Sequence, residues 1–222
     1  MIIMAFNFSS FRFAESSSTA TKVEMTLGLI KVLIPNSSTR ESLKPEGYPE
    51  DGKIEQTIRA YQNKQLSLYE QGLKAMETGC GNCQEMAYAS GLILRTGGFT
   101  GTVQVAEFGI NHAFLIVEDY ILDPWAETFF PFSAWKTNLK AYGGSIKEGV
   151  MKGRTLAPDH YELEDEEPEV VKTLPIEFEL CLPSLESRAQ LVLLLEQTLA
   201  KKQLNTEVQL DSNNPGSLAN NI

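Results

Sequence analysis

The sequence predicts an α+β fold in which a helix that opens on a cysteine packs against an antiparallel β-sheet. A glycine-containing turn over 79–81 leads into an apolar run over 83–96, which has the length and composition of a buried helix. Beyond it, the stretch 102–123 is rich in β-branched and aromatic residues and alternates in polarity at its start. Because 222 residues can bury one sizeable core, we expect these elements to share a main domain.

Composition divides the chain into three regions. Residues 1–50 combine a Ser- and Thr-rich start with a stretch that contains Pro and Gly, which predicts a loosely docked arm and a loop. Residues 51–180 hold the main domain, in which an acidic segment over 159–179, with nine Asp and Glu and one Lys, predicts a solvated linker. Residues 181–222 predict a disordered polar tail after an amphipathic helix over 185–201, whose apolar face would comprise Leu185, Ala189, Val192, Leu193 and Leu199.

Helical periodicity predicts one long helix over 53–78, because apolar residues follow its length at helical spacing after a small shift of face. Gly79 is expected to end this helix. Asn82 then suits the N-cap of a second helix, and Glu85 lies three residues later, as a capping box requires. We expect that second helix to run from Cys83 to about residue 96.

Short strands are expected after the second helix, beginning near Thr102. The last two, over 112–117 and 120–123, are separated by two polar residues that suit a tight turn, so they should pair antiparallel. This pairing returns Asp123 to the level of His112, although the two residues are eleven apart in the chain. An aromatic group after residue 124 predicts further core or a covering loop.

The acidic composition argues against nucleic-acid binding. The chain has 19 Lys and Arg against 29 Asp and Glu, a formal net charge of −10, whereas phosphate backbones favour basic surfaces. Three cysteines are too few, and odd in number, for a disulfide framework, which predicts a reducing, cytoplasmic compartment. No apolar stretch reaches the length of a membrane span, and the N-terminus lacks the basic region of a signal peptide.

Cys83 has the position of a nucleophile. At the start of a helix, unpaired N–H groups and the helix dipole stabilise a thiolate, which is the form of cysteine that attacks carbonyl carbon. His112 is the better placed of the two histidines to act as its base, since His160 lies beside the acidic run. Asp123 could accept the second ring N–H of His112 and so determine its tautomer.

Each of these residues also has a structural explanation. Cys83 could be a buried structural cysteine, His112 a satisfied core histidine, and Asp123 the start of a turn before proline. Cys80 and Cys83 form a C-x-x-C pair, which occurs in thioredoxin-like redox sites and as half of a zinc site. A helix rather than a strand precedes this pair, and no second C-x-x-C or H-x-x-x-H follows, so we expect an accessory role for Cys80 and neither a metal nor a cofactor.

A helix-borne Cys, then a His on a strand, then an Asp on the next strand is the chain order of the transglutaminase-like branch of the papain-like cysteine enzymes. Three stretches resemble the motifs of that superfamily: Gly-Asn-Cys-Gln-Glu over 81–85, Asn-His-Ala-Phe-Leu-Ile-Val over 111–117 and Tyr-Ile-Leu-Asp-Pro-Trp over 120–125. The resemblance implies a transglutaminase-like core with a catalytic triad of Cys83, His112 and Asp123.

The resemblance also implies acyl transfer through a thioester on an amide of a protein or peptide, as in a protease, a deamidase or a transglutaminase. The oxyanion would be bound by the Cys83 backbone N–H and a second donor, for which Asn82, Gln84 and Asn111 are the candidates. The Gly-Asn-Cys-x-Glu and His-Ala-Phe forms resemble transglutaminase-like proteins that bacterial pathogens deliver into host cells, which implies a secreted effector.

A non-catalytic function stays open at this point. The same fold could serve as a protein-interaction module, with the acidic surface and the C-terminal helix holding a partner. The position of His112 separates the two classes. An enzyme needs the imidazole within about 4 Å of the Cys83 sulfur and Asp123 on the far ring nitrogen, whereas a histidine turned into the core would exclude catalysis.

Overall fold

The computed structural model describes residues 11–41, 52–108, 112–136, 138 and 168–212. Its helices are α1 (Thr19–Leu33), α2 (Ser38–Glu41), α3 (Lys53–Gln62), α4 (Leu68–Thr78), α5 (Cys83–Thr96), α6 (Phe178–Cys181) and α7 (Leu185–Ser212). Its strands are β1 (Val103–Phe108), β2 (His112–Val117), β3 (Tyr120–Asp123), β4 (Thr128–Pro131) and β5 (Glu169–Thr173). These elements form an α+β fold, as predicted.

The five strands form one antiparallel sheet in the order β4-β3-β2-β1-β5. The three strands that the sequence predicted are β1, β2 and β3, and the tight turn between the last two has Glu118 at a φ of 53°. The prediction of a solvated linker over 159–179 is wrong for β5, which pairs with β1. Backbone hydrogen bonds form this pairing, so it does not require the β5 side chains to be buried. These side chains are exposed, and the strand therefore needs no apolar pattern.

Helix α5 lies at the centre of the core. Every residue from Glu85 to Thr96 is buried, because α5 packs against the sheet on one side and against α1 and α4 on the other. Helix α4 approaches α5 closely at Gly72, where an added Cβ would lie 2.8 Å from the backbone nitrogen of Ala89. The buried helix predicted from Cys83 to about residue 96 is therefore confirmed.

The single helix predicted over 53–78 is wrong, because the chain breaks between α3 and α4. Gln65 adopts a φ of 51° in this break, outside helical geometry. Ser67 then starts α4 with a capping box, in which its hydroxyl accepts from the Glu70 backbone N–H and the Glu70 carboxylate accepts from the Ser67 backbone N–H. The shift of apolar face in the sequence marks this break.

The expectation that residues 1–50 begin with a loosely docked arm is also wrong from Phe11, the first described residue. Phe11 and Phe13 are buried, with their rings edge to face at 5.4 Å, and the Phe13 backbone N–H donates to the Gly97 carbonyl at 3.1 Å. Helix α1 follows from Thr19, capped by the hydroxyl of Ser18, and packs against α5.

The C-terminal helix is longer than predicted and turns a different face inward. It continues to Ser212, where a disordered tail was expected, while residues 213–222 lie outside the described part of the chain. Leu185 and Leu193, two members of the predicted face, are exposed. The buried face instead follows the spacing i, i+4, i+7 and consists of Leu191, Leu195 and Thr198. This face packs on α1 and α4 rather than on the sheet.

Candidate active site

Cys83 is the first residue of α5 and is half-buried. Helix α4 ends at Gly79, whose φ of 70° is the left-handed conformation that glycine favours at a helix C-terminus. The turn between the helices is held by Asn36: its backbone N–H donates to the Gly79 carbonyl at 3.1 Å, and its carbonyl accepts from the Gly81 N–H at 3.0 Å. Two helix ends and one bridging residue therefore position the thiol.

Glu85 supports the same turn from inside the protein. Only 2% of this residue is exposed, yet its carboxylate accepts from the Asn82 backbone N–H at 3.0 Å and from the Gln62 side-chain amide at 2.6 Å. The first contact is the Glu85 half of the capping box that the sequence predicted. A buried carboxylate with two donors is thus placed directly behind the first turn of α5.

His112 and Asp123 meet across strands β2 and β3. The pairing of Leu115 with Leu122 places Asp123 two positions along the strand from the residue that would face His112. The two side chains reach across this diagonal offset, and Nε2 of His112 lies 2.6 Å from Oδ2 of Asp123. Asp123 is fully buried, and its Oδ1 accepts the backbone N–H of Ala126 at 2.9 Å. The carboxylate is therefore held at both oxygens.

The other side of the His112 ring faces the nucleophile. The imidazole is hydrogen-bonded to the Cys83 thiol, and because Asp123 occupies Nε2, Nδ1 is the nitrogen left for this contact. Burial lowers the pKa of His112, but the charge of Asp123 and the hydrogen bonds to Asp123 and Cys83 outweigh it and raise the pKa to about 10. The ring is therefore cationic at neutral pH, between the Cys83 sulfur and the Asp123 carboxylate.

Trp125 and Thr39 complete the surroundings of the imidazole, and sequence reasoning missed both. The Trp125 ring lies 5.2 Å from the His112 ring, and its indole N–H donates to the Thr39 hydroxyl at 2.9 Å. Thr39 and its neighbours Ser37 and Ser38 in turn donate to the side chain of Asn82. The position of Trp125 directly after Asp123-Pro was a local signal; nothing local pointed to Thr39, which is 86 residues from Trp125.

The remaining candidate residues of the sequence analysis differ in their surroundings. Asn82 is fixed by hydrogen bonds and Gln84 is half-buried beside it, while Asn111 and His160 lie outside the described residues. Cys80 is a buried free thiol whose pKa is raised by burial, so it is a poorer thiolate than an exposed cysteine. Within the described ranges, no three His, Cys, Asp or Glu side chains are grouped to hold a metal ion.

Comparison with known proteins adds a biological setting. Over residues 48–144 the chain is similar to the protein family described as Dot/Icm T4SS effector Ceg10, and this segment includes Cys83, His112 and Asp123. No curated protein matches the chain. The family match supports a secreted bacterial effector that a secretion system delivers into host cells. Among the described helices, none has the length and apolar character needed to cross a membrane.

Proposed function

We propose that the chain is a cysteine-dependent acyl-transfer enzyme with a transglutaminase-like core, which acts on amide bonds of host proteins or peptides after delivery as an effector. One observation carries the proposal: the His112 imidazole is hydrogen-bonded to both the Cys83 thiol and the Asp123 carboxylate. In this arrangement Cys83 would act as the nucleophile, His112 as its base and Asp123 as the residue that orients the base. The family match supports the delivery, and the chemistry rests on the geometry.

The first half of the reaction would form a thioester. The His112 ring holds the thiol proton, and the Cys83 sulfur attacks the carbonyl carbon of an amide, whose π electrons move to oxygen. The tetrahedral intermediate collapses as the C–N bond breaks, and the leaving amine or ammonia takes the proton from His112. The raised pKa of His112 suits this step, since the ring is a cation before the leaving group needs a proton.

The second half would regenerate the thiol. Neutral His112 takes a proton from water or from a second amine, which attacks the thioester carbonyl, and the Cys83 sulfur leaves and is reprotonated. Asp123 is not a proton carrier in this scheme. Its buried carboxylate holds the ring with Nε2 turned away from sulfur and stabilises the imidazolium.

Alkylation of the thiol tests the nucleophile assignment. Iodoacetamide at neutral pH should label Cys83 fast, and Cys83→Ala should abolish that fast phase. Cys80→Ala and Cys181→Ala are the matched controls, because both of these thiols are buried and should contribute only slow labelling. Equal labelling rates in the parent and in Cys83→Ala would show that Cys83 is not the reactive thiol.

Mass spectrometry of host-cell proteins incubated with the protein decides between the three acyl transfers. Conversion of a Gln side chain to Glu identifies a deamidase, a covalent link between Gln and an amine a transglutaminase, and a new chain end a protease. Each product should be missing with Cys83→Ala. Products that persist with that variant would contradict the proposed chemistry, and a parent that binds host proteins but changes none would favour the interaction module.

A further inference from the structure

We propose that the side-chain amide of Asn82 is a catalytic residue, the second donor of the oxyanion hole, through its Nδ2. This inference rests on the proposed function. A thioester-forming enzyme needs two preorganised donors for the oxygen that becomes negative, and the Cys83 backbone N–H can supply one of them. Asn82 precedes Cys83 directly at the N-terminal end of α5, where the helix dipole also favours negative charge.

The orientation of the Asn82 amide is fixed by its oxygen. Oδ1 accepts from the hydroxyls of Ser37, Ser38 and Thr39 at 2.9, 3.1 and 3.2 Å, and from the Thr39 backbone N–H at 3.3 Å. A hydroxyl could bond either end of an amide, but a backbone N–H can only donate. The oxygen is therefore the atom that faces residues 37–39, and Nδ2 is the arm directed away from them.

Trp125 determines the proton direction in this cluster. Its indole N–H can only donate, and it donates to the Thr39 hydroxyl at 2.9 Å, so the Thr39 proton is available for Asn82 Oδ1. A chain of donors that ends on an amide oxygen polarises the amide and makes its N–H groups better donors. Nδ2 is thus both oriented and strengthened by contacts on the opposite end of the same group.

The backbone of Asn82 is held as well. Its N–H donates to the buried Glu85 carboxylate at 3.0 Å, so main chain and side chain are fixed before substrate arrives. Gln84, the neighbouring amide, is half-buried and makes no side-chain hydrogen bond to another residue of the described ranges. Ordering such a side chain during the reaction costs conformational entropy. A preorganised donor loses that entropy when the protein folds, so the cost does not slow the reaction.

Two reactions of the same sulfur separate an oxyanion donor from a structural contact. Iodoacetamide alkylates the thiolate by displacing iodide from carbon, and no oxyanion forms. With p-nitrophenyl acetate the sulfur bonds to the carbonyl carbon, an oxyanion forms, and p-nitrophenolate leaves to give the acetyl thioester. Both rates can be measured on the full chain, the second as a burst of nitrophenolate absorbance.

Asn82→Ser is the informative variant, because it removes Nδ2 without adding a charge beside the Cys83 sulfur and remains a good N-cap. We expect its acylation rate to fall by about 10²–10³-fold, with alkylation of Cys83 nearly unchanged. Gln84→Ala should acylate like the parent. Acylation and alkylation that fall together, or a loss confined to Gln84→Ala, would overturn the assignment. A parent that is alkylated at Cys83 but never acylated would instead contradict the proposed function.

Discussion

The buried carboxylate of Asp123 binds His112 and the backbone of Ala126 at the same time. Oδ2 lies 2.6 Å from Nε2 of His112, and Oδ1 accepts the Ala126 N–H at 2.9 Å. Because both oxygens are occupied and the group is fully buried, the carboxylate has one orientation, and the ring that it holds has one as well. This pair makes the imidazole a cation whose other ring nitrogen is hydrogen-bonded to Cys83.

Asp123→Asn should lower the pKa of His112. Burial alone would lower that pKa, and the Asp123 charge is the main cause that raises it to about 10, so a neutral amide should reduce it by roughly 1–3 units. Because the chain has two histidines, a His160→Gln background leaves one imidazole to follow by NMR titration. An unchanged His112 titration in Asp123→Asn would show that the carboxylate does not control the ring.

Protonation of His112 should stabilise the fold in a defined pH range. Its pKa is raised from 6.5 in an ordinary environment to about 10, so the stabilisation is full below pH 6.5 and is lost as pH rises through 10. Urea unfolding should therefore find the parent more stable than His112→Gln at low pH, with a difference that shrinks above pH 10. A difference that does not change with pH would contradict this linkage.

Glu85→Ala should weaken the start of α5. The substitution leaves the Asn82 N–H and the Gln62 amide without their buried acceptor, and we expect the free energy of unfolding to fall by about 1–3 kcal/mol. Alkylation of Cys83 should slow as well, since the turn behind it loosens. Glu85→Gln is the matched control, because its amide oxygen can still accept from Asn82 while Gln62 rotates to accept from its nitrogen. Equal effects of the two substitutions would argue against the hydrogen-bond explanation.

Gly72→Ala should destabilise the packing of α4 on α5. The new Cβ would lie 2.8 Å from the Ala89 nitrogen and 3.1 Å from the Tyr88 carbonyl carbon, and backbone atoms inside a helix cannot move aside. We expect a loss of about 1–3 kcal/mol in urea unfolding, larger than the helix-propensity gain of alanine. Lys74→Ala on the same helix removes only an ion pair with Glu77, so it should change stability by about 0.5 kcal/mol. A Gly72→Ala protein as stable as the parent would contradict the close approach.

Much of the site was predictable because its signals are local. A capping residue, a cysteine and a glutamate within four positions indicate a helix start, and the predicted start at Cys83 is confirmed. The turn between β2 and β3 was also predicted from its local sequence, and it brings His112 and Asp123 together across the sheet. The break before Ser67 was missed, since helical spacing resumes after the small shift of face and a capping box is a weaker signal than a long apolar stripe.

Local signals fail where partners are far apart in the chain. Strand β5 was missed because backbone pairing with β1 selects it, and its exposed side chains carry no pattern. The buried face of α7 was assigned to the wrong residues. This helix has apolar side chains on several sides, and packing against neighbouring helices decides which of them are buried.

Sequence patterns were enough to predict the helix that opens on Cys83, the two strands that carry His112 and Asp123, and the order of these residues in the chain. Each depends on residues within a few positions of one another. The contacts of Thr39 became visible in the folded chain alone, since this residue reaches Asn82 across 43 residues and Trp125 across 86. Contacts of this kind depend on where the fold brings distant segments of the chain together, so no pattern within a few residues predicts them.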